Sequence, residues 1–441
     1  MPAGLASDDR LSGVNLAVIG SGAAGLAAAL TASLNGLRPI VIEHSGKIGG
    51  TSARSSGTVW IPDNHHMRAH GIVGDRLEAE RYLASLVGDR GDPAMWRTFL
   101  DHAPRMLADL EDRAGLRFRP YMTAPDYRQD HSGAAAGGRP LEPMPFDGRM
   151  LGADFERLAW PMQELMLFGG MMVTRGEGAQ LLRADRSPQA AWLGLRLVAR
   201  YMLDRLGHKR GTRLVLGSAL VAALLKAVND RGVAVVTDAR VSSLISRNGR
   251  IAGIELSVHG KTTRLETERG VILAGGGFPA NPDWRVEHLP EPVAEYTPAT
   301  TGCDGSTIAL ALDAGAALGP SGLDNALWFP SSVATRKDGS TAVYPHIVLD
   351  RAKPGLIAVN SVGRRFANEA VSYHEFVRAM YRAPRETACI PAWLICDRSF
   401  IRRYGLGLIR PRTPSLRKYV GSGYLREAGT IPELAEKLGM P

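Results

Sequence analysis

At 441 residues with 45% apolar composition, the chain is long enough for two domains with their own cores. Its net charge of +9 comes without a dense basic run or interleaved aromatic and basic residues, so nucleic-acid binding has no motif behind it. The three cysteines, Cys303, Cys389 and Cys396, exclude a disulfide framework or an iron–sulfur site and fit a reducing cytoplasm; no uncharged, glycine-free stretch reaches membrane-spanning length, which leaves at most a peripheral membrane contact.

An N-terminal tail, residues 1–12, has no apolar signal region. Asn15 to Ile19 is a short apolar run that reads as a strand buried on both faces. Gly20-Ser21-Gly22-Ala23-Ala24-Gly25 follows, then an alanine-rich helix to Asn35, a second buried strand from Arg38 to Ile42, and Glu43 at its end. Gly20 permits the tight turn, Gly22 a close backbone approach to a pyrophosphate, and Gly25 close packing of helix on strand. The helix N-terminus offers free N–H groups and positive dipole to the phosphates. Glu43 stands where a carboxylate accepts a ribose 2′-hydroxyl and repels a 2′-phosphate, which argues against NADP.

FAD and NAD share that fingerprint. The loop Gly49-Gly50-Thr51-Ser52, followed by Ser55-Ser56-Gly57, offers N–H groups and hydroxyls to a pyrophosphate and a flavin edge, which suits the longer cofactor. No histidine that could tether a flavin lies between Thr51 and Gly57, so FAD is expected to be non-covalent. His65, His66 and His70 contain an i, i+4 pair. No carboxylate or thiol at ligand spacing accompanies them and Gly71 points to a loop, so no metal is expected.

Arg76 to Gly115 and Gln189 to Asp230 read as helical, the second broken near Gly207 to Gly211. The apolar stretch Trp160 to Val173 reads as a core helix broken at Gly169-Gly170, a border to lipid or a steroid entry being the alternative. Val233 to Thr237, Ala239 to Ile245 and Ile251 to Val258 read as strands. Gly270 to Leu273 is another, ending in the turn Ala274-Gly275-Gly276-Gly277-Phe278, and Asp304-Gly305 opens a further helix.

With Arg364-Arg365-Phe366-Ala367-Asn368-Glu369 added, these motifs resemble the FAD-binding group that includes fumarate reductase and succinate dehydrogenase flavoproteins and 3-ketosteroid dehydrogenases. The resemblance implies an α/β fold: a Rossmann-like FAD-binding domain with an inserted α+β substrate (cap) domain. It assigns FAD to Gly20, Gly22, Ala23, Ala24, Gly25, Glu43, Gly49, Gly50, Thr51, Ser52, Ser56, Gly57, Val241, Ala274, Gly275, Gly276 and Asp304. The domains are expected at 13–290 and, beyond the Pro-rich stretch Pro279 to Pro298, at 291–441.

Five residues after Asn368, fumarate reductases carry an arginine that protonates a dicarboxylate; this chain carries Tyr373. The segment Leu327-Trp328-Phe329-Pro330-Ser331 stands where those enzymes place a His-Pro carboxylate clamp. Trp328 and Phe329 suit a flat hydrophobic substrate better than a dianion, which counts against a fumarate-reductase-like enoate reductase. In 3-ketosteroid delta-1-dehydrogenases a tyrosine similar to Tyr373 is the catalytic base, and a second precedes a Gly-rich loop and a Pro-Phe-Asp run. Tyr127, ahead of Gly137-Gly138-Arg139 and Pro145-Phe146-Asp147, matches that second tyrosine, with Tyr121 as the alternative.

The resemblance thus implies delta-1 desaturation of a steroid-like ketone: Tyr373 takes the proton alpha to the carbonyl, flavin N5 takes the hydride, and an external acceptor reoxidises the flavin. Family members carry their ketone-polarising Tyr and Gly in a further segment that closes around the flavin. A chain ending at 441 is expected to lack it and to be a truncated form, an inactive flavin-binding remnant being the alternative reading.

Overall fold

The computed structural model describes residues 13–258, 260–322, 324–347 and 349–441; the tail 1–12 lies outside them. The chain folds as two compact units. The first comprises Met1–Arg175, Leu195–Asn281 and Ala299–Pro320, the second Gly176–Gly194, Pro282–Pro298 and Ser321–Pro441. A single crossing at 290 therefore does not describe the division: the first unit resumes at Ala299 and keeps the helix Ser306–Asp313.

A four-stranded parallel sheet organises the first unit. Strand β1 (Leu16–Ile19) lies between Val271–Leu273 and β2 (Pro39–Ile42), and Ala234–Val236 pairs with the far side of β2. Both β1 and β2 are buried at every position, the pattern expected of a sheet covered on both faces. Side-chain alternation divides them between two cores. Leu16, Val18 and Val41 pack with Leu26 and Leu30 of α1 (Ala23–Leu34) and with Leu220, Leu224 and Leu225 of the helix Leu216–Asp230. Ala17, Ile19, Ile40 and Ile42 face the other way, onto Ile254, Leu256 and Leu265. Those three belong to an antiparallel sheet of Ala239–Arg247, Arg250–Val258 and Lys261–Glu266. The result is three layers: helices, parallel sheet and antiparallel sheet.

The expected strands are all present, and the helical stretch 76–115 divides at Gly88 and Gly91. It forms α4 (Asp75–Val87) and α5 (Pro93–Ala114), with α2 (Gly50–Arg54) and α3 (His65–Ala69) preceding them. The second helical stretch breaks as expected, into Pro188–Asp204 and Leu216–Asp230. The run 160–173 is not a core helix. It holds one 3-10 turn, Gln163–Leu165, and a bridge between Leu167 and Met171. Met162, Met166 and Met171 are buried while Phe168, at positive φ, is exposed. Pro161 and the Gly169-Gly170 pair break the helical ladder, so the apolar residues reach the core from irregular backbone instead.

In the second unit, Ser331–Thr335 pairs antiparallel with Thr341–Pro345, and Leu356–Val359 with Trp393–Cys396. Leu356, Phe400, Ile401 and Ile409 form its core.

Candidate active site: a dinucleotide cradle and a tyrosine at a helix start

The turn between β1 and α1 is as tight as its glycines require. Gly20 has φ +106°, and a Cβ there would lie 2.4 Å from the Ala274 carbonyl oxygen; at Gly25 a Cβ would lie 1.9 Å from the Gly20 oxygen. Helix α1 starts at Gly22 with no side chain capping it, which leaves its N-terminus to be met by other groups. Ser52 Oγ accepts from Ala23 N at 3.0 Å, bringing α2 against the fingerprint.

Glu43 is buried and held by three donors: Ser21 N (3.0 Å) and Ser21 Oγ (2.6 Å) on Oε2, and Ser45 N (2.9 Å) on Oε1. A carboxylate offers about four acceptor positions, so one remains open on Oε1. Ser21, to which the sequence analysis gives no role, is fully buried and also accepts from Gly49 N at 3.0 Å. It couples the Glu43 carboxylate to the loop that begins at Gly49.

The glycines divide by role. Nothing lies within 4 Å of a Cβ built at Gly50, and only Ser52 Oγ is near one at Gly22, so both leave backbone open to a ligand. Gly57 and Gly275 are required by packing: added Cβ atoms would lie 2.6 Å from Leu216 C and 2.3 Å from Thr307 Cγ2. Ser56 donates to Thr58 Oγ1. The Val241 side chain packs into the core beneath the antiparallel sheet, on an edge strand.

At the rim, Thr51 Oγ1 sits 3.1 Å from Cys303 Sγ and accepts from Thr300 N at 3.2 Å. Asp304 Oδ1 accepts from Ser306 N. Burial pushes the Asp304 carboxyl up, but Ser306, His44 and Arg240 outweigh it and hold it below the usual carboxylate range. Thr300 and Cys303 were not foreseen, because only the fold brings them to Thr51. A helix N-terminus, open glycine backbone and a pinned acceptor fit a dinucleotide, and the donor set defines the class: a dinucleotide-binding protein.

Tyr127, also in the first unit, is 52% exposed on a loop whose root is rigid. Asp126 accepts from Trp60 Nε1 (2.7 Å), Ala135 N (2.9 Å) and Arg139 Nη1 (2.6 Å), and Arg139 forks onto Asp75 at 2.9–3.1 Å. Tyr121 lies under the Arg175 guanidinium, 5.2 Å from its ring centroid.

In the second unit Tyr373 is the first residue of the helix Tyr373–Arg382, capped by Ser372 Oγ accepting from Glu375 N. Its ring stacks on Phe329 at 4.3 Å and 16°. Trp328 is buried against Tyr381, and its indole Nε1 finds no hydrogen-bond partner among the described residues. The Arg-Phe-x-Asn-Glu motif is scaffolding. Glu369 accepts from Arg365 Nε and Nη2 and from Ala358 N, and Asn368 Oδ1 caps Ala370 N. Burial raises the Glu369 carboxyl, yet Arg365 and Ala358 hold it below its ordinary range. Arg351, unseen in the sequence, is fully buried and donates to the carbonyls of Glu369 and of Val371 (2.8 Å), two residues before Tyr373.

The histidines at the start of α3 depart from expectation. His65 and His66, rather than the i, i+4 pair, converge, and a carboxylate does accompany them: Glu111, from the last turns of α5. It lies 45 residues further on, beyond the reach of spacing arguments. His70 instead turns back to hydrogen-bond the His66 carbonyl.

The FAD binding domain family matches residues 15–423. The chain is 33% identical over 442 residues to a 3-oxosteroid 1-dehydrogenase of Mycolicibacterium smegmatis (strain ATCC 700084 / mc(2)155), covering 97% of this chain and 75% of the relative. It is also 33% identical, over 431 residues, to a 4-oxocyclohex-2-ene-1-carboxylate 5-dehydrogenase of Sinomonas cyclohexanicum, covering 96% and 72%. The crystal structure of 3-ketosteroid delta1-dehydrogenase from Sterolibacterium denitrificans in complex with 1,4-androstadiene-3,17-dione superimposes with a TM-score of 0.86 at 33% identity, over 97% of this chain and 76% of that one. The chain therefore belongs to the FAD-binding flavoprotein family that contains the 3-oxosteroid 1-dehydrogenases, and FAD is its cofactor. It spans about three quarters of the length of these relatives. Among the described residues, no helix is long and apolar enough to cross a membrane.

Proposed function

We propose that the chain desaturates the carbon–carbon bond beside the ketone of a 3-ketosteroid-like ring system, at the delta-1 position, using non-covalent FAD and an external electron acceptor. The observation that carries this reading is Tyr373 at the start of its helix, stacked on Phe329, where an enoate reductase of this family would present an arginine. FAD, when bound, supplies the two-electron oxidant that receives hydride from the carbon beta to the ketone.

Tyr373 takes the alpha proton as a phenolate. An ordinary phenol has a pKa near 10, and a helix N-terminus contributes about 0.3–1 kcal/mol, less than one pKa unit. A second donor is therefore required, and Tyr127 is given that part on the family resemblance. Phe329 offers a flat apolar surface, and the orphan Trp328 indole N–H offers a donor to a polar group arriving beside it.

The test is anaerobic addition of a 3-keto-4-ene steroid to the flavin-loaded chain, followed by the flavin absorbance. The wild type should bleach, and Tyr373→Phe, which keeps the ring and its stack, should bleach roughly 10²–10⁴-fold more slowly. Equal rates would remove Tyr373 from the mechanism. Bleaching only by 4-oxocyclohexanecarboxylate would keep the chemistry and overturn the steroid-sized substrate.

A further inference from the structure

Away from the flavin cradle, the first turn of α3 meets the end of α5 in a cluster that the proposed reaction does not use. His65 Nε2 lies 2.7 Å from Glu111 Oε2, and His66 Nε2 lies 3.0 Å from the same oxygen and 3.2 Å from Oε1. The two imidazole rings are 4.2 Å apart, and the ligand atoms of all three residues fall within 4.8 Å of one another. We propose that His65, His66 and Glu111 form a binding site for a divalent transition cation of the zinc class.

Ligand identity argues for that class. Two imidazoles and one carboxylate are the three-ligand set that zinc accepts while keeping a further position for water. Magnesium and calcium demand oxygen ligands, so the imidazoles select against them. The dimensions agree as well. Zinc holds nitrogen and oxygen ligands at about 2.0–2.2 Å, which places ligand atoms roughly 3.3 Å apart in a tetrahedron. The present contacts of 2.7 and 3.0 Å need to open by about 0.6 and 0.3 Å to reach that spacing.

The supporting shell is already built. Glu111 is buried, and its Oε1 accepts from Phe118 N at 2.9 Å, which fixes the carboxylate and directs Oε2 toward the histidines. The turn that carries both histidines is fixed by Asn64, itself fully buried. Its side chain accepts from Met67 N and donates to the Ile61 and Gly138 carbonyls. His65 remains 40% exposed, so a cation has an entry path and the open position faces water. On binding, each imidazole carries its proton on Nδ1 and offers the Nε2 lone pair; without the ion, both Nε2 atoms donate to Glu111 instead.

The experiment is equilibrium dialysis of the FAD-loaded chain against zinc, with metal counted per chain and magnesium as the control. One zinc per chain is expected. Affinity should fall at least tenfold in Glu111→Gln and in the His65→Asn/His66→Asn double variant. The double variant alters partly exposed side chains and spares the buried carboxylate, so it decides the matter if Glu111→Gln fails to fold. Bound zinc should also raise the melting temperature of the wild type and not of the double variant. Failure to take up zinc stoichiometrically would overturn the proposal. So would uptake unchanged in the double variant, which would place the ion on thiols elsewhere. Neither result depends on catalytic activity.

Discussion

Replacing Arg139 by methionine perturbs the residue on which the Tyr127 loop is hung. Arg139 is fully buried, and its guanidinium is shared by two buried carboxylates, Asp75 and Asp126, with four contacts between 2.6 and 3.1 Å. Methionine has similar length but no charge, and it strands both carboxylates. Breaking one buried pair in this way costs about 3–5 kcal/mol. Here Asp63 N, Trp60 Nε1 and Ala135 N continue to solvate the two aspartates, which holds the expected loss within that range rather than at twice it. Against a domain stability of about 5–15 kcal/mol this is a large fraction. The assay is urea unfolding of wild type and variant at the same saturating FAD concentration, since bound cofactor adds to apparent stability. Trypsin cleavage after Arg128, inside the loop, should accelerate in parallel. Arg139→Lys, which keeps the charge and loses the fork, should fall between the two. Adding Asp126→Asn to the methionine variant should recover part of the loss. As a contrast, removing the exposed pair Arg247–Glu266 should cost about 0–1 kcal/mol. A loss below about 1 kcal/mol in Arg139→Met, with unchanged trypsin sensitivity, would refute the assignment of Arg139 as the anchor of this loop.

Gly25→Ala should abolish FAD retention and destabilise the fold by at least about 1–3 kcal/mol, because its Cβ would sit 1.9 Å from the Gly20 oxygen. Gly50→Ala meets no neighbour within 4 Å and pays only the left-handed backbone, about 1–2 kcal/mol, so it should fold and yet retain less FAD after gel filtration; full retention would remove Gly50 from the phosphate face. Acid should weaken the second unit. Burial raises the Asp350 carboxyl, but His346, Gly407 N and Arg351 N hold it below its usual value, and Glu369 is held low in the same way. Carboxyls depressed in the folded state contribute stability that is present above their unfolded pKa and lost as pH falls through the folded one, so unfolding free energy should drop as pH falls below about 4. Asp350→Asn should flatten that acid limb; an unchanged slope would count against the reading. Burial pushes the Cys396 thiol up to about 12 and raises Cys389 as well, so both should resist alkylation at neutral pH, as mass spectrometry of labelled protein can check.

The parallel sheet, α1 and the glycine turn between β1 and α1 were legible in the sequence because each is specified locally. A buried strand needs an unbroken apolar run, and the turn needs glycine at positions where a Cβ would strike Ala274 or Gly20. The run 160–173 was misread because apolar content alone does not separate a helix from irregular backbone whose methionines reach the core one by one. The Glu111 carboxylate beside His65 and His66 was missed for another reason: its partners come from a separate helix, and sequence spacing carries no information about such a meeting. Ser21 could have been found, since a hydroxyl between two fingerprint glycines must point somewhere, and the acid closing β2 is its natural acceptor.

The least legible residues are two of the buried arginines, Arg139 and Arg351. Arg139 sits 13 residues from Asp126 and 64 from Asp75; Arg351 reaches carbonyls 18 and 20 residues away. Arg351 belongs to no recognisable motif, and the glycine pair before Arg139 does not reveal its partners; burial lowers the Arg351 guanidinium to about 10, although Asp350 and Glu369 oppose the shift. A buried cation is weak evidence for net stability, since a well-packed apolar residue often does as well. Its advantage is direction, because a guanidinium fixes several oxygens at once in one plane. Arg139 fixes the residue immediately before Tyr127, and Arg351 fixes the backbone two residues before Tyr373. In each unit the phenol assigned to proton chemistry thus stands near a residue held by a buried guanidinium, through the Asp126 carboxylate in the first and through the Val371 carbonyl in the second. Motif residues name the chemistry in this chain, and long-range arginines hold its geometry.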